Sequence, residues 1–280
     1  MGGRGARYSR ARNNLRLSMQ QQPAQAQADD QDQDQQQPAP STNDGTQPIR
    51  DPQELLKFFQ QADAKAADAM LAQWRAEALD ADNRQQDTDT QRFFNYIGWA
   101  AETPEVLTEA QYQQALQQAG NPTQLYHSDY PAGGVGARQF AAQYMGNGQD
   151  FAGNQYRQYL SGGISGDGTY YAASASDSAF YGTSQFRGFL NSNAKAIKRD
   201  TLDAQYSAFS RKYPALAHVM NQMSTGYQNG YSGARSVFAA MLGYNVIDVG
   251  GGSGYFVVLN RKATTVSSKT KRAHSSMANW

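Results

Sequence analysis

Apolar side chains first recur at helical spacing after residue 51. Asp51 precedes Pro52, and proline suits the first turn of a helix because an N–H there would have no partner within the helix. Steps of three and four residues then separate a set of apolar positions: Leu55, Phe59, Ala62, Ala66, Met70 and Trp74. Such a stripe is more typical of a buried helix face than of a cofactor site. The segments TQRFFNYIGWAAE and TEAQYQQALQQAG have helical patterns too, so we predict a helical region over residues 51–120.

The pattern changes after Asn121-Pro122. Short apolar runs that suit strands (QLYHS, GTYYA, AKAIK, YNVIDV and GYFVVLN) alternate with helical segments (ARQFAAQYM, SDSAFYG, residues 200–223 and SGARSVFAAMLGY). A long loop rich in glycine covers residues 146–168. The two last strands show no polar alternation, which predicts burial on both faces. We therefore predict an α+β domain over residues 121–268, without a βαβ series or internal repeats.

Both ends of the chain lack the apolar content of a folded core. Residues 1–50 are rich in glutamine, and five arginines within the first sixteen residues have no acids to match them: Arg4, Arg7, Arg10, Arg12 and Arg16. We predict a disordered N-terminal tail, because such a segment buries too little apolar area to offset its ordering entropy. A tether is the favoured role for it, ahead of contact with nucleic acid or an acidic protein surface. Residues 269–280 form a polar, basic tail that we predict to be mobile.

Composition narrows the possible chemistry. The net charge is +1, so no global field favours nucleic acid or an anionic membrane. The absence of cysteine excludes disulfides and thiol catalysis and fits a reducing cytosol. With only three histidines, far apart in sequence, a histidine-rich metal site is disfavoured, and we expect no metal. No apolar run approaches the roughly 18 residues of a membrane span, and no secretory signal is visible.

The segment GDGTYYAASASDSAFYG, residues 166–182, is the strongest candidate for a ligand site. It places Tyr170 on a predicted strand, and it places Ser178 and Tyr181 three residues apart on one face of the next helix. Two tyrosines can sandwich a flat ring, and a serine between them can bond an amide on that ring. Aromatic core packing is the alternative for each tyrosine. His127 lies in the strand before this segment. Its alternative role is structural, as a histidine whose hydrogen bonds are satisfied at a sheet edge.

His127 in a strand, then Gly168-Thr169-Tyr170-Tyr171-Ala172, then Ser178-Ala179-Phe180-Tyr181, resembles the NAD-binding core of ADP-ribosyltransferases. The spacing matches the histidine-tyrosine-glutamate branch typified by poly(ADP-ribose) polymerases, and the likeness covers residues 121–268. It implies a split mixed β-sheet with short helices, and NAD⁺ as substrate.

The resemblance also implies a role for each matching residue. His127 would bond the adenosine-side ribose, and the main chain of Ser128, where the family usually has glycine, would hold the nicotinamide amide. Tyr170 and Tyr181 would stack on the nicotinamide ring, and the hydroxyl of Ser178 would bond its carboxamide.

The chain departs from this family at the catalytic glutamate, which begins a late strand and stabilises charge as nicotinamide leaves. The matching position here is Gly254. Asp248 is the nearest carboxylate and the candidate substitute, with bonding of the following loop's amides as its alternative role. Spacing gives no reason to choose among the other carboxylates: Glu102, Glu105, Glu109, Asp129 and Asp167.

A second resemblance concerns the ends of the chain. GYFVVLNRKATTV and the start MGGRGA are similar to ADP-ribosyltransferase-like proteins encoded by phages and prophages near head-morphogenesis genes. This implies a location in the bacterial host cytosol or in a virion, with the N-terminal tail suited to capsid association. The expected function is mono-ADP-ribosylation of a host protein. The alternative is a catalytically degenerate fold with a structural or interaction role.

Overall fold

A computed structural model describes residues 48–76, 88–129, 145, 165–179, 184–223, 231–250, 254–269 and 271–272. These residues belong to one compact unit that begins at Pro48. Residues 1–47 of the predicted N-terminal tail, the loop 146–164 and nearly all of the predicted helix ARQFAAQYM lie outside the described ranges. Of the helices within those ranges, none has the length and apolar character needed to span a bilayer.

Outside residues 77–87, which the structure does not describe, the predicted helical region contains four helices: α1 (Pro52–Gln61), α2 (Ala64–Ala76), α3 (Asp89–Tyr96) and α4 (Glu109–Gln118). Asp51 is the N-cap of α1, since its carboxylate accepts the backbone N–H groups of Gln53 and Glu54. Thr88 and Thr108 begin α3 and α4 with capping boxes. The predicted apolar stripe points inward, because Leu55, Phe59, Met70 and Trp74 are all buried.

The region is not helical throughout. A short strand, β1 (Glu105–Leu107), lies between α3 and α4 and pairs in parallel with a strand formed by Thr264–Ser267. The sheet therefore recruits a segment that the pattern had assigned to the helical region.

The later helices are α5 (Ala175–Ala179), α6 (Arg199–Lys212), α7 (Pro214–Gln222) and α8 (Tyr231–Met241), with 3₁₀ turns at Trp99–Ala101 and Arg261–Ala263. The prediction of one helical span over residues 200–223 was wrong. The span breaks at Tyr213, whose φ and ψ of −124° and 87° are not helical. Pro214 causes the break, because its ring disfavours a helical residue before it and it has no N–H to donate.

Eight further strands complete the sheet: β2 (Leu125–Asp129), β3 (Thr169–Ala172), β4 (Ser184–Leu190), β5 (Ala196–Lys198), β6 (Val246–Asp248), β7 (Tyr255–Val258), β8 (Thr264–Ser267) and β9 (Lys271–Arg272). The strand order is β1-β8-β4-β2-β3-β7-β6-β5, with β9 beside β4. The β1–β8 and β5–β6 pairs are parallel and the others antiparallel. The predicted α+β class and mixed sheet are confirmed.

Burial of the late strands on both faces is also confirmed. Val246 and Ile247 of β6, and Val257 and Val258 of β7, are fully buried although their side chains alternate between the two faces. Strands β4, β8 and β9 were not predicted. β9 places Lys271 and Arg272 in the sheet, within the segment predicted to be a mobile tail.

Backbone pairing in the sheet is least extensive between β2 and β3. These strands share a single paired position, Tyr126 with Ala172, whereas β2 and β4 pair at five consecutive positions. Beyond Tyr126 the backbones of β2 and β3 are no longer paired. This gap lies at the middle of the sheet, between the two strands that carry the predicted ligand motifs.

Candidate functional site

The pairing of Tyr126 with Ala172 decides which side chains share a face of the sheet. Directly paired residues point to the same face, and side chains alternate along each strand. Ser128 and Tyr170 therefore lie on one face, beside the gap between β2 and β3. His127 and Tyr171 lie on the opposite face. The register thus places the side chain of His127 on the opposite face from those of Ser128 and Tyr170, with which it was predicted to bind the ligand.

Helix α5 brings Ser178 to the first of these faces. The hydroxyl oxygens of Ser128 and Ser178 are 2.7 Å apart, and both residues are buried. Gln185, paired with Ser128 in the sheet, donates from Nε2 to the Ser128 hydroxyl at 3.2 Å and to the Ala175 carbonyl at 3.0 Å. Gln185 therefore ties the first turn of α5 to the sheet. We call the gap, with Ser128, Tyr170 and Ser178 beside it, the slot.

Tyr170 holds the loop that leads into its own strand. Its hydroxyl donates to the Gly166 carbonyl at 2.7 Å and accepts the Ser165 N–H at 3.1 Å. Burial is the main reason that the pKa of Tyr170 rises to about 12, with the negative charge of Asp167 adding to the effect. The slot therefore has a neutral phenol on its wall at physiological pH.

Ser236 of α8 holds the same loop by hydrogen bonds to its backbone. Its hydroxyl accepts the N–H of Asp167 at 2.7 Å and donates to the Asp167 carbonyl at 3.0 Å. The next residue must be glycine, because a Cβ on Gly168 would lie 2.7 Å from the backbone oxygen of Val258. The Gly-Asp-Gly sequence before β3 is thus explained by close backbone packing that sets the position of Tyr170.

His127 bridges the gap through its ring. Nδ1 lies 2.7 Å from the Tyr170 carbonyl, which can only accept, so Nδ1 carries a proton in this arrangement. On the opposite face from Ser128, the ring packs against Tyr171 and Phe186, with centroids 5.9 and 5.2 Å away. His127 is hydrogen-bonded, as its alternative role predicted, but because β2 is an interior strand the histidine does not lie at a sheet edge. Burial lowers the pKa of His127 to about 4, so the imidazole is neutral near pH 7.

The lowered pKa predicts a pH-dependent stability. In the unfolded chain His127 takes up a proton near pH 6.5, whereas the folded chain resists protonation until about pH 4. The contribution of His127 to the free energy of unfolding is therefore fully present above pH 6.5, and it is lost as the pH falls toward 4. Between pH 7.5 and 5 we expect the loss to reach about 2 kcal/mol in urea unfolding. His127→Asn, which keeps a donor but does not titrate, should lack this part of the pH dependence; an equal slope in both proteins would contradict it.

Asp248 is not brought to the slot. It pairs with Phe256, and Phe256 pairs with Tyr171, so Asp248 lies on the face of His127 and opposite to Ser178. Its carboxylate accepts the N–H of Gly250 at 2.9 Å. This is the loop-bonding arrangement that was considered as its alternative role.

Gly254 has a backbone that disfavours a side chain. Its φ is +52°, and a Cβ built there would lie 3.1 Å from the Cβ of Ala173. The left-handed conformation costs an ordinary residue about 1–2 kcal/mol. The position where the resemblance would place a glutamate is thus shaped for glycine and is strained for any larger residue.

The other carboxylates considered from the sequence, and Tyr181, do not form one group. Glu109 forms an ion pair with Arg187 and accepts from Ser267, and Glu105 accepts from Thr265, so both carboxylates bind the β4–β8 side of the sheet. Asp167 is 4% exposed, and two residues, Gly168 and Thr169, separate it from Tyr170. Tyr181 and the side chain of Asp129 lie outside the described residues. Within the described ranges, no three acidic or histidine side chains come together in a way that suits a metal ion.

Gln185 and Ser236 were missed by the sequence reasoning, although both orient the slot. Gln185 lies on β4, where SQFRGFL alternates polar and apolar residues at its start and so carried a strand signal. Ser236 sits in an apolar helix, where nothing in the local pattern distinguishes a serine that bonds a distant loop.

Comparisons with models of protein families, with curated proteins and with solved structures found no match.

Proposed function

We propose that the chain binds NAD⁺ in the slot, with the nicotinamide ring against Tyr170 and the carboxamide at Ser178. The observation that carries the proposal is that β2, β3 and α5 bring Ser128, Tyr170 and Ser178 to one face beside the gap. Three of the five residues that the resemblance assigned to the ligand therefore lie together.

The chemistry of the slot suits this ligand. The nicotinamide ring of NAD⁺ is flat and positively charged, and the face of a neutral tyrosine attracts such a ring. A serine hydroxyl can donate to the carboxamide oxygen or accept from its nitrogen. In this proposal His127 acts through Tyr170, because its bond to the Tyr170 carbonyl keeps the two strands apart at a fixed width.

Binding without efficient transfer is the first candidate for what the chain does with NAD⁺. The conformation of Gly254 favours it, since no carboxylate is present where the family places one and the backbone there opposes a replacement. In this case the chain is a phage-encoded, virion-associated protein that uses the domain for structure or interaction, with its N-terminal tail as the capsid contact.

Mono-ADP-ribosylation of a protein in the bacterial host cytosol is the second candidate. The observation in its favour is the buried carboxylate of Asp167, whose charge acts on the phenol of Tyr170. Asp248 would have to leave Gly250 and act from the other face of the sheet. An acceptor protein completes the reaction, and no metal is needed for a transfer of this kind.

Removing the Ser178 hydroxyl is expected to weaken binding about tenfold, the usual effect of losing one hydrogen bond to a ligand. The measurement is calorimetric titration of NAD⁺ and of nicotinamide into wild type and Ser178→Ala. Ser176→Ala is the matched control, because Ser176 lies on the same helix and is exposed. Absence of wild-type binding at millimolar ligand, or equal affinity in wild type and Ser178→Ala, would contradict the proposal.

A further inference from the structure

The side chain of Ser128 fills the space between the β2 backbone and Ser178. Its hydroxyl reaches Ser178 at 2.7 Å, and the two residues are 5% and 2% exposed. A contact of this length leaves no room for a ligand atom between the two oxygens. The space where a carboxamide would join the β2 backbone to Ser178 is therefore already taken by protein.

Gln185 holds Ser128 in this position. The Ala175 carbonyl can only accept, so the Gln185 group facing it must be the amide nitrogen. The same nitrogen has a second N–H, which points to the Ser128 hydroxyl. Ser128 thus accepts one bond from Gln185, which is partly buried, and shares another with Ser178, which is buried.

We propose that the Ser128 hydroxyl occupies the carboxamide subsite of the slot and thereby sets its affinity and selectivity. The inference rests on the proposed function, because it assumes that the slot takes a nicotinamide ring. A ligand carboxamide must displace the Ser128 side chain from both Ser178 and Gln185 before it can bond. Glycine at position 128 would leave the space open and the Ser178 hydroxyl ready for the ligand.

The selectivity follows from where the obstruction lies. It lies at the hydroxyls of Ser128 and Ser178, where the carboxamide would bond, and not at the Tyr170 side chain, whose hydroxyl bonds Gly166 and Ser165. Wild type should therefore gain less affinity from a carboxamide on a pyridinium ring than a variant without the obstruction gains. Removing the obstruction should improve binding of the first kind of ring and leave the second unchanged.

The experiment titrates 1-methylnicotinamide and 1-methylpyridinium into the full chain and into Ser128→Gly and Ser128→Ala. For Ser128→Gly we expect about tenfold tighter binding of 1-methylnicotinamide and no change for 1-methylpyridinium. Ser128→Ala removes the hydroxyl but keeps Cβ, so we expect a gain of about threefold. Urea unfolding of each variant shows that the fold is retained, and the alanine variant carries the test if the glycine variant does not fold.

The possible failures are distinguishable. If neither wild type nor the variants bind either probe, the proposed function falls. If wild type binds 1-methylnicotinamide and both variants bind it no more tightly, the role of Ser128 is overturned while the proposed function stands. An equal gain for both probes also overturns it, because the obstruction would then oppose the ring and not the carboxamide.

Discussion

Replacing Trp74 with alanine is expected to lower the free energy of unfolding by about 4 kcal/mol. The indole is fully buried, and its ring meets those of Phe59 and Phe93 edge-on, with centroids 5.8 and 4.9 Å away. One side chain therefore joins α1, α2 and α3, and the cavity left by alanine would remove packing from all three helices. Equilibrium unfolding in urea, followed by circular dichroism, measures the change.

Trp99→Ala is the matched control for Trp74→Ala. Trp99 is only partly buried and stacks on Phe94 with a centroid distance of 5.6 Å, so we expect a smaller loss of about 2 kcal/mol. Because the described residues belong to one compact unit, both proteins should unfold in a single transition. A loss below about 1 kcal/mol for Trp74→Ala would show that this cluster does not support the fold.

Transfer of ADP-ribose is expected to be about 100- to 1000-fold slower than by a glutamate-bearing ADP-ribosyltransferase assayed alongside. A carboxylate placed in advance stabilises the positive charge that develops as nicotinamide leaves, and Gly254 supplies none. The measurement follows label from NAD⁺ into proteins of a bacterial lysate. A wild-type rate within tenfold of the reference enzyme would contradict the expectation and favour the second candidate function.

Two variants then identify the carboxylate responsible if label is transferred. Asp248→Asn keeps an oxygen to accept the Gly250 N–H and removes only the charge, so a lower rate would assign the charge of Asp248 to the chemistry. Asp167→Asn makes the same change at the carboxylate whose charge acts on Tyr170. We expect Asp248→Asn to have no effect on the rate, because Asp248 lies on the opposite face from Ser178.

Local patterns were sufficient for the helices and for the α+β class. The stripe from Leu55 to Trp74 predicted a buried helical surface because helical periodicity is a local property of the chain. Short strands carry weaker signals. β1 has three residues, and β4 contains Gly188, which breaks the apolar pattern but is required because a Cβ there would lie 2.8 Å from the Thr265 carbonyl. These strands exist because distant partners complete their hydrogen bonds.

The composition of the slot was predicted more fully than its geometry. The sequence identified Ser128, Tyr170 and Ser178, and the spacing placed Tyr170 on a strand and Ser178 on the following helix. Which of them share a face depends on the register of β2 against β3, which tertiary packing determines. A shift of one residue would have exchanged His127 and Ser128 between faces, so the separation of His127 from Ser178 could not be predicted from residue types.

A crystal structure of the full chain with 1-methylnicotinamide tests the central claim most directly. The account predicts that the ring lies against Tyr170, with an atom of the carboxamide about 3 Å from the Ser178 hydroxyl and with the Ser128 side chain turned away from Ser178. A ring bound on the face of His127 and Asp248, or outside the gap between β2 and β3, would contradict it.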